Sequence, residues 1–227
     1  MLTGLPLYII IVFILTVALT LILFLSAIQK KTTSAILSLL WLALTGVLAY
    51  KGFFQNTKGM PPHLAFIMIP AFVFVIILSI TPIGKKFTEG LDLKKLTILH
   101  IVRIPVEIIL YLLAGYKFLP ELMTFAGRNF DIISGITAPV MYMLCFSGSQ
   151  LKHKQALLLW NFICLALLLN IVVDAILSAP FPFQKLAFDK PNIAVLYFPF
   201  IWLPSFIVII VLLSHLVAIK KLLKKSS

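Results

Sequence analysis

The chain consists largely of apolar runs about as long as a lipid bilayer is thick, and this limits what it can fold into more than any other feature. The first run, LYIIIVFILTVALTLILFLSAI, carries no charge from Leu7 to Ile28. A membrane span needs about 20 mainly apolar residues to cross roughly 30 Å of hydrocarbon. Seven windows qualify, approximately Leu5–Ile28, Ser34–Phe54, His63–Ile83, Leu96–Phe118, Phe130–Ser147, Ala156–Ala179 and Val195–Ile219. Polar connections such as Gln29–Thr33, Gly84–Lys95 and Ser147–Gln155 separate them and leave no room for a soluble domain. The runs are too long and too continuous for barrel strands, which are about 10 residues long and alternate in polarity. Composition agrees: 62% of residues are hydrophobic and 11% charged, against about 45–50% and roughly 25% in soluble domains. The predicted fold is an all-α integral membrane protein, a single bundle of seven transmembrane helices forming one domain over residues 1–227.

A net charge of +12 would suit nucleic acid if it were concentrated in one polar face. It is not. Taking the loops alternately, one side holds Lys30, Lys31, Lys85, Lys86, Lys94, Lys95, Lys152, Lys154, Lys220, Lys221, Lys224 and Lys225. The other holds Lys51, Lys58, Lys117, Arg128, Lys185 and Lys190, so the division is twelve against six. Cytoplasmic loops carry the Lys/Arg excess, which predicts the N-terminus outside, the C-terminus cytoplasmic and a plasma (inner) membrane location. The charge is a topology signal, with no nucleic-acid partner expected. The KKLLKK tail and the basic loops should touch anionic lipid headgroups. MLTGLP has no basic residue and Lys30–Lys31 follow the first run, so that run is expected to be a retained helix and not a cleaved leader. Cys145 and Cys164 lie inside spans, away from oxidising loops, and are expected to be free packing residues.

Within this apolar background, HIVRIPVE (His100 to Glu107) carries an imidazole, a guanidinium and a carboxylate. On a helix His100, Arg103, Glu107 and Tyr111 fall within a stripe roughly 80° wide. An ionisable side chain facing lipid at mid-span costs at least ~2.5–3.5 kcal/mol, so the stripe should face the bundle interior. Arg103 and Glu107 can pair at i, i+4. A second polar level lies towards the other end of the bundle. Arg128 and Asp131 open the fifth span, where Ser134, Gly135 and Ala138 continue a small-residue face suited to close helix approach. Asn170 and Asp174 recur on the sixth span, and His63 opens the third. Asp174, inside an apolar run, needs a partner, for which Arg128 or a bound cation is suited.

These residues predict a polar cavity between the third and seventh spans, with the first two spans at its periphery. His63, Arg103, Glu107, Tyr111, Arg128, Asp131, Asn170 and Asp174 are the candidates for ligand binding or proton carriage. Its ligand is expected to be a small polar or amphiphilic molecule that is moved, sensed or handed on. Arg103 and Arg128 would meet an anionic group, and Glu107 would be the protonation switch. Two other functions fit the same residues. One is an integral-membrane enzyme acting on a lipid or isoprenoid through a metal or haem, with His100 and His215 as candidate ligands at one depth. The other is a structural subunit whose ion pairs serve packing. No cofactor motif is present: HExxH, CxxCH, a Walker loop and GxSxG are all absent from the sequence.

Overall fold

In the computed structural model, which describes residues 2–29, 31–148 and 150–224, 71% of the chain is helical and 2% is strand. Lys30 and Lys225 lie outside the described residues. The helices are α1 (Leu7–Ala27), α2 (Lys31–Tyr50), α3 (Ala65–Ile80), α4 (Pro82–Glu89), α5 (Leu93–Leu99), α6 (Arg103–Gly115), α7 (Ile132–Cys145), α8 (Lys154–Ser178) and α9 (Val208–Leu223). A 3₁₀ turn, His100–Val102, makes α5 and α6 one continuous rod, and a π turn, Leu203–Ile207, leads into α9. The strands β1 (Phe146–Ser147) and β2 (Gln150–Leu151) form a minimal antiparallel hairpin between α7 and α8.

Five stretches are long and apolar enough to cross a membrane: Leu7–Ala27, Lys31–Tyr50, Leu93–Gly115, Lys154–Ser178 and Leu203–Leu223. α3 and α7 are equally apolar but have only 16 and 14 residues, or about 24 and 21 Å at ~1.5 Å per residue. The third window therefore ends early. Thr81 stops α3 and caps α4 instead, its hydroxyl accepting from the Gly84 N–H at 3.1 Å with Pro82 in the first turn. The stretch Gly84–Lys95, expected to be a polar connection, is mostly helix, with Asp92 capping α5 through the Lys95 N–H. The seventh window starts late. Residues 195–202 are mostly turns, and regular helix begins only after Pro199 and Pro204, since each proline removes a backbone donor.

α9 is central and α2 peripheral: 67% of the Leu203–Leu223 span is buried, against 22% of Lys31–Tyr50. α1 buries Ile9, Phe13, Thr16, Val17, Thr20, Phe24 and Ala27, a three-and-four spacing that forms one stripe. That stripe lies on α5 and α6, and the Phe13 ring meets Phe200 at 4.9 Å between centroids. The rest of α1 is as apolar as the stripe, with Leu7, Leu15 and Ile22 exposed. α2 is held by two indoles: Trp41 Nε1 donates to the Ser205 carbonyl in the π turn, and Trp202 Nε1 to the Leu42 carbonyl, both at 2.9 Å.

Lysines close one end of the bundle. Lys95 donates to the Ser26 carbonyl, Lys220 to Ser79, Lys154 to Lys224, and Lys221 to Glu89 and Leu91. Lys224 pairs with Glu89 and holds its carboxyl below the usual range. These contacts place the ends of α1, α3, α4 and α9 beside the starts of α5 and α8.

α7 approaches the α5–α6 rod closely at Gly135. A Cβ there would stand 2.8 Å from Ile104 Cγ1, 3.0 Å from the Ile104 backbone nitrogen and 3.2 Å from Arg103 Cβ. Gly135→Ala is expected to lower stability by about 1–3 kcal/mol, the usual cost of overpacking. Gly115→Ala, whose added Cβ meets nothing within 4 Å, should lose none. Thermal unfolding of both variants in detergent micelles checks this.

Candidate functional site

Pro105 explains the local shape of the site. It has no N–H to donate to the Ile101 carbonyl, and one turn earlier the chain tightens into the 3₁₀ segment His100–Val102. Side chains three apart eclipse in such a turn, so His100 and Arg103 lie one above the other, both buried.

Arg103, 2% exposed, joins four helices. Its Nη1 donates to Asp131 Oδ1 at 2.8 Å, at the start of α7, and to the Cys164 carbonyl of α8 at 3.3 Å. Its Nη2 lies 2.9 Å from His215 Nε2 on α9. Guanidinium only donates, so His215 Nε2 is the acceptor and the ring is a neutral imidazole protonated on Nδ1. That Nδ1–H has its acceptor, Asn161 Oδ1, at 2.8 Å, while the Asn161 amide donates to the Leu157 carbonyl.

Glu107 does not pair with Arg103. Asn129 Nδ2 lies 2.7 Å from both Glu107 oxygens and also donates to the Met123 carbonyl. Asn129 Oδ1 accepts from the Asp131 backbone N–H at 3.0 Å. A continuous polar chain thus runs Glu107–Asn129–Asp131–Arg103–His215–Asn161. Among the described residues Glu107 belongs to no ion pair.

Arg128 and Asp174 form a separate pair at 2.9 Å, with the arginine side chain 58% exposed and the aspartate 9%. Asn170 donates to the Arg128 carbonyl. Tyr111 leaves the cluster: it is 49% exposed and stacks on Phe125 at 4.8 Å. The buried face of α6 centres on Val106, Leu110 and Leu113, and Tyr111 lies more than ~100° around the helix from it. His63 packs on Phe53 at 4.5 Å, with its Nδ1 2.8 Å from the Phe53 carbonyl oxygen. It fastens the chain between α2 and α3. His100 and His215 stack, with centroids 4.0 Å apart and planes at 17°. As a metal pair they are poorly suited: both His215 nitrogens are engaged, one of them by a guanidinium. Among the described residues no group of three or more potential metal ligands forms.

Beside the polar chain lies a cavity of ≈450 Å³. Its walls are apolar, from Met68 and Phe72 on α3, Leu168 and Val172 on α8, and Ile207 and Val211 around the start of α9. Arg103, Glu107 and Asp131 line one region, and Asn192 another. Of the eight candidates, only Arg103, Glu107 and Asp131 reach it. Asn129 and Asn161 also belong to the polar chain and Asn192 to the cavity lining, and none of the three is among the candidates. For Asn161 a signal existed: it lies about 10 Å from Lys154 along α8 at ~1.5 Å per residue, a depth close to that of His215 from Lys220.

A family profile described as a domain of unknown function (DUF8737) matches residues 60–223. The chain belongs to that family. The DUF8737 segment begins after α2 and includes every residue of the polar chain and every residue lining the cavity. No curated protein and no solved structure matches the chain.

Breaking a buried ion pair by removing one partner costs about 3–5 kcal/mol, whereas replacing both partners by apolar groups costs far less. Arg103→Leu is therefore expected to be strongly destabilised, and Arg103→Leu with Asp131→Leu to recover part of the loss. Arg103→Leu with Glu107→Leu should recover less. Chemical unfolding in micelles measures all three.

Proposed function

We propose that the protein spans the plasma membrane seven times and binds a small amphiphilic molecule in the cavity, to move it, sense it or hand it on. The spans are α1, α2, α3, the α5–α6 rod, α7, α8, and the π turn with α9. The basic end is cytoplasmic and the N-terminus outside, in keeping with the positive-inside bias. Its lysines meet anionic headgroups.

The observation that carries the binding proposal is the composition of the cavity wall. Three ionisable groups and Asn192 line a space otherwise bounded by apolar side chains. Ligand sites commonly have this form, mostly apolar with a few placed polar groups, at roughly 300–1,000 Å³. Glu107 is the proton carrier in this proposal. Its carboxylate has a neutral partner, Asn129, while the nearby Arg103 charge is already matched by Asp131. His215 and His100 complete its titratable surroundings.

Val172→Trp should fill the cavity without touching the polar chain. Protein purified in nanodiscs is expected to carry a bound amphiphile, identified by extraction and mass spectrometry, that the variant lacks while keeping its unfolding midpoint. The same bound molecules in both would count against the cavity as the site. Glu107→Gln should abolish any pH dependence of that binding, and an unchanged pH profile would remove the proton-carrying role.

A further inference from the structure

The cavity's polar end restricts the charge of its occupant, and its rim indicates a way in. Among the described residues Arg103 is the one cation lining it, and Asp131 already matches that charge at 2.8 Å. His215 is neutral by its hydrogen bonds. With Glu107 ionised the lining carries one net negative charge; with Glu107 protonated it carries none. A headgroup of either sign would be buried against a surface that is almost entirely carbon, at a large desolvation cost. Arg103 and Arg128 do not form an anion site, because Arg128 lies outside the lining and is paired with Asp174. The cavity surface is almost entirely carbon, and the two unpartnered polar atoms of its lining residues are scarcely accessible from it. Arg103 Nε is a buried donor with no partner among the described residues, and Asn192 Oδ1 is a buried acceptor with none.

Four lining residues are also exposed: Ile69 of α3, at 58%, and Ile176 of α8, at 44%, with Pro61 and Phe183 in the loops beside these helices. α3 packs on α9 and the π turn, and α8 on α9 and α7. The cavity therefore opens between α3 and α8, through an apolar rim of Pro61, Ile69, Ile176 and Phe183. On α8 the lining runs from Leu168 to Ile176, about 12 Å at ~1.5 Å per residue. The whole space suits one drug-sized molecule and not a two-chain phospholipid.

We infer that the occupant is an uncharged single-chain amphiphile. It enters between α3 and α8 and lies along the apolar wall of the cavity. This deepens the ligand-binding proposal and rests on it. The apolar rim favours a membrane-dissolved molecule.

The test uses the full chain in phosphatidylcholine nanodiscs with diazirine-bearing analogues of dodecanol, dodecanoate and dodecylamine, each competed by its unlabelled parent. The alcohol is expected to give saturable crosslinks to the lining peptides of α3 and α8, several-fold above the acid and the amine. Ile69→Trp with Ile176→Trp should slow that labelling several-fold at an unchanged unfolding midpoint, since both side chains are on the surface. Preferential labelling by the acid or the amine overturns the uncharged class and leaves the cavity as a binding site. Equal labelling rates in the double tryptophan variant overturn entry between α3 and α8. Absence of saturable labelling by all three probes overturns the ligand-binding proposal itself.

Discussion

The arrangement of the bundle depends on one buried guanidinium. Arg103 cannot shed its proton in a protein, so wherever the chain packs it must find acceptors. It finds them on three other helices at once, through Asp131, the Cys164 carbonyl and His215. A lysine ammonium, a point charge on a flexible stem, would not hold this planar fork of contacts. The steric counterpart is Gly135, which lets α7 come close enough to bring Asp131 to the arginine. Charge and shape at this point specify the same packing.

From that junction the polar groups extend as a chain in which each amide is oriented by its neighbours. Asn129 uses its oxygen for the Asp131 backbone and its amide nitrogen for Glu107. Asn161 uses its oxygen for His215 and its amide nitrogen for Leu157. In a low-dielectric interior such satisfied networks stiffen a structure, and partly satisfied ones are costly. The atoms left unsatisfied here include Arg103 Nε and Asn192 Oδ1, both on residues that line the cavity. The family match covers this whole assembly and omits α1 and α2. These two pack outside the cavity, α1 along the α5–α6 rod and α2 through its indole contacts.

Individual residues show how far the sequence could be read. The Arg103–Glu107 spacing correctly marked a buried polar line, because the cost of facing lipid is a local property of each side chain. It did not identify the partners. A helical i, i+4 neighbour was available, yet Asp131, 28 residues away, took the arginine. Tyr111 follows Glu107 at i, i+4, but the buried face of α6 centres on Val106, Leu110 and Leu113, so Glu107 lies at its edge and Tyr111 beyond it. His63 and Arg128 lay at a suitable level but on the wrong side. Asn192, in the chain between α8 and the π turn, had no periodic pattern around it to suggest burial.

The sequence alone determined the solvent. Apolar runs of bilayer length set the helical class and the position of most helix ends, since those depend on length, hydropathy, proline and capping residues close in the chain. Tertiary structure decided which face of each helix points inward. Both faces of α1 are apolar, so its packing stripe could show only once α5 and α6 lay against it. It also decided that Arg103 is neutralised and not available to an anion, because that depends on acceptors 28, 61 and 112 residues away, brought together only by the packing of four helices.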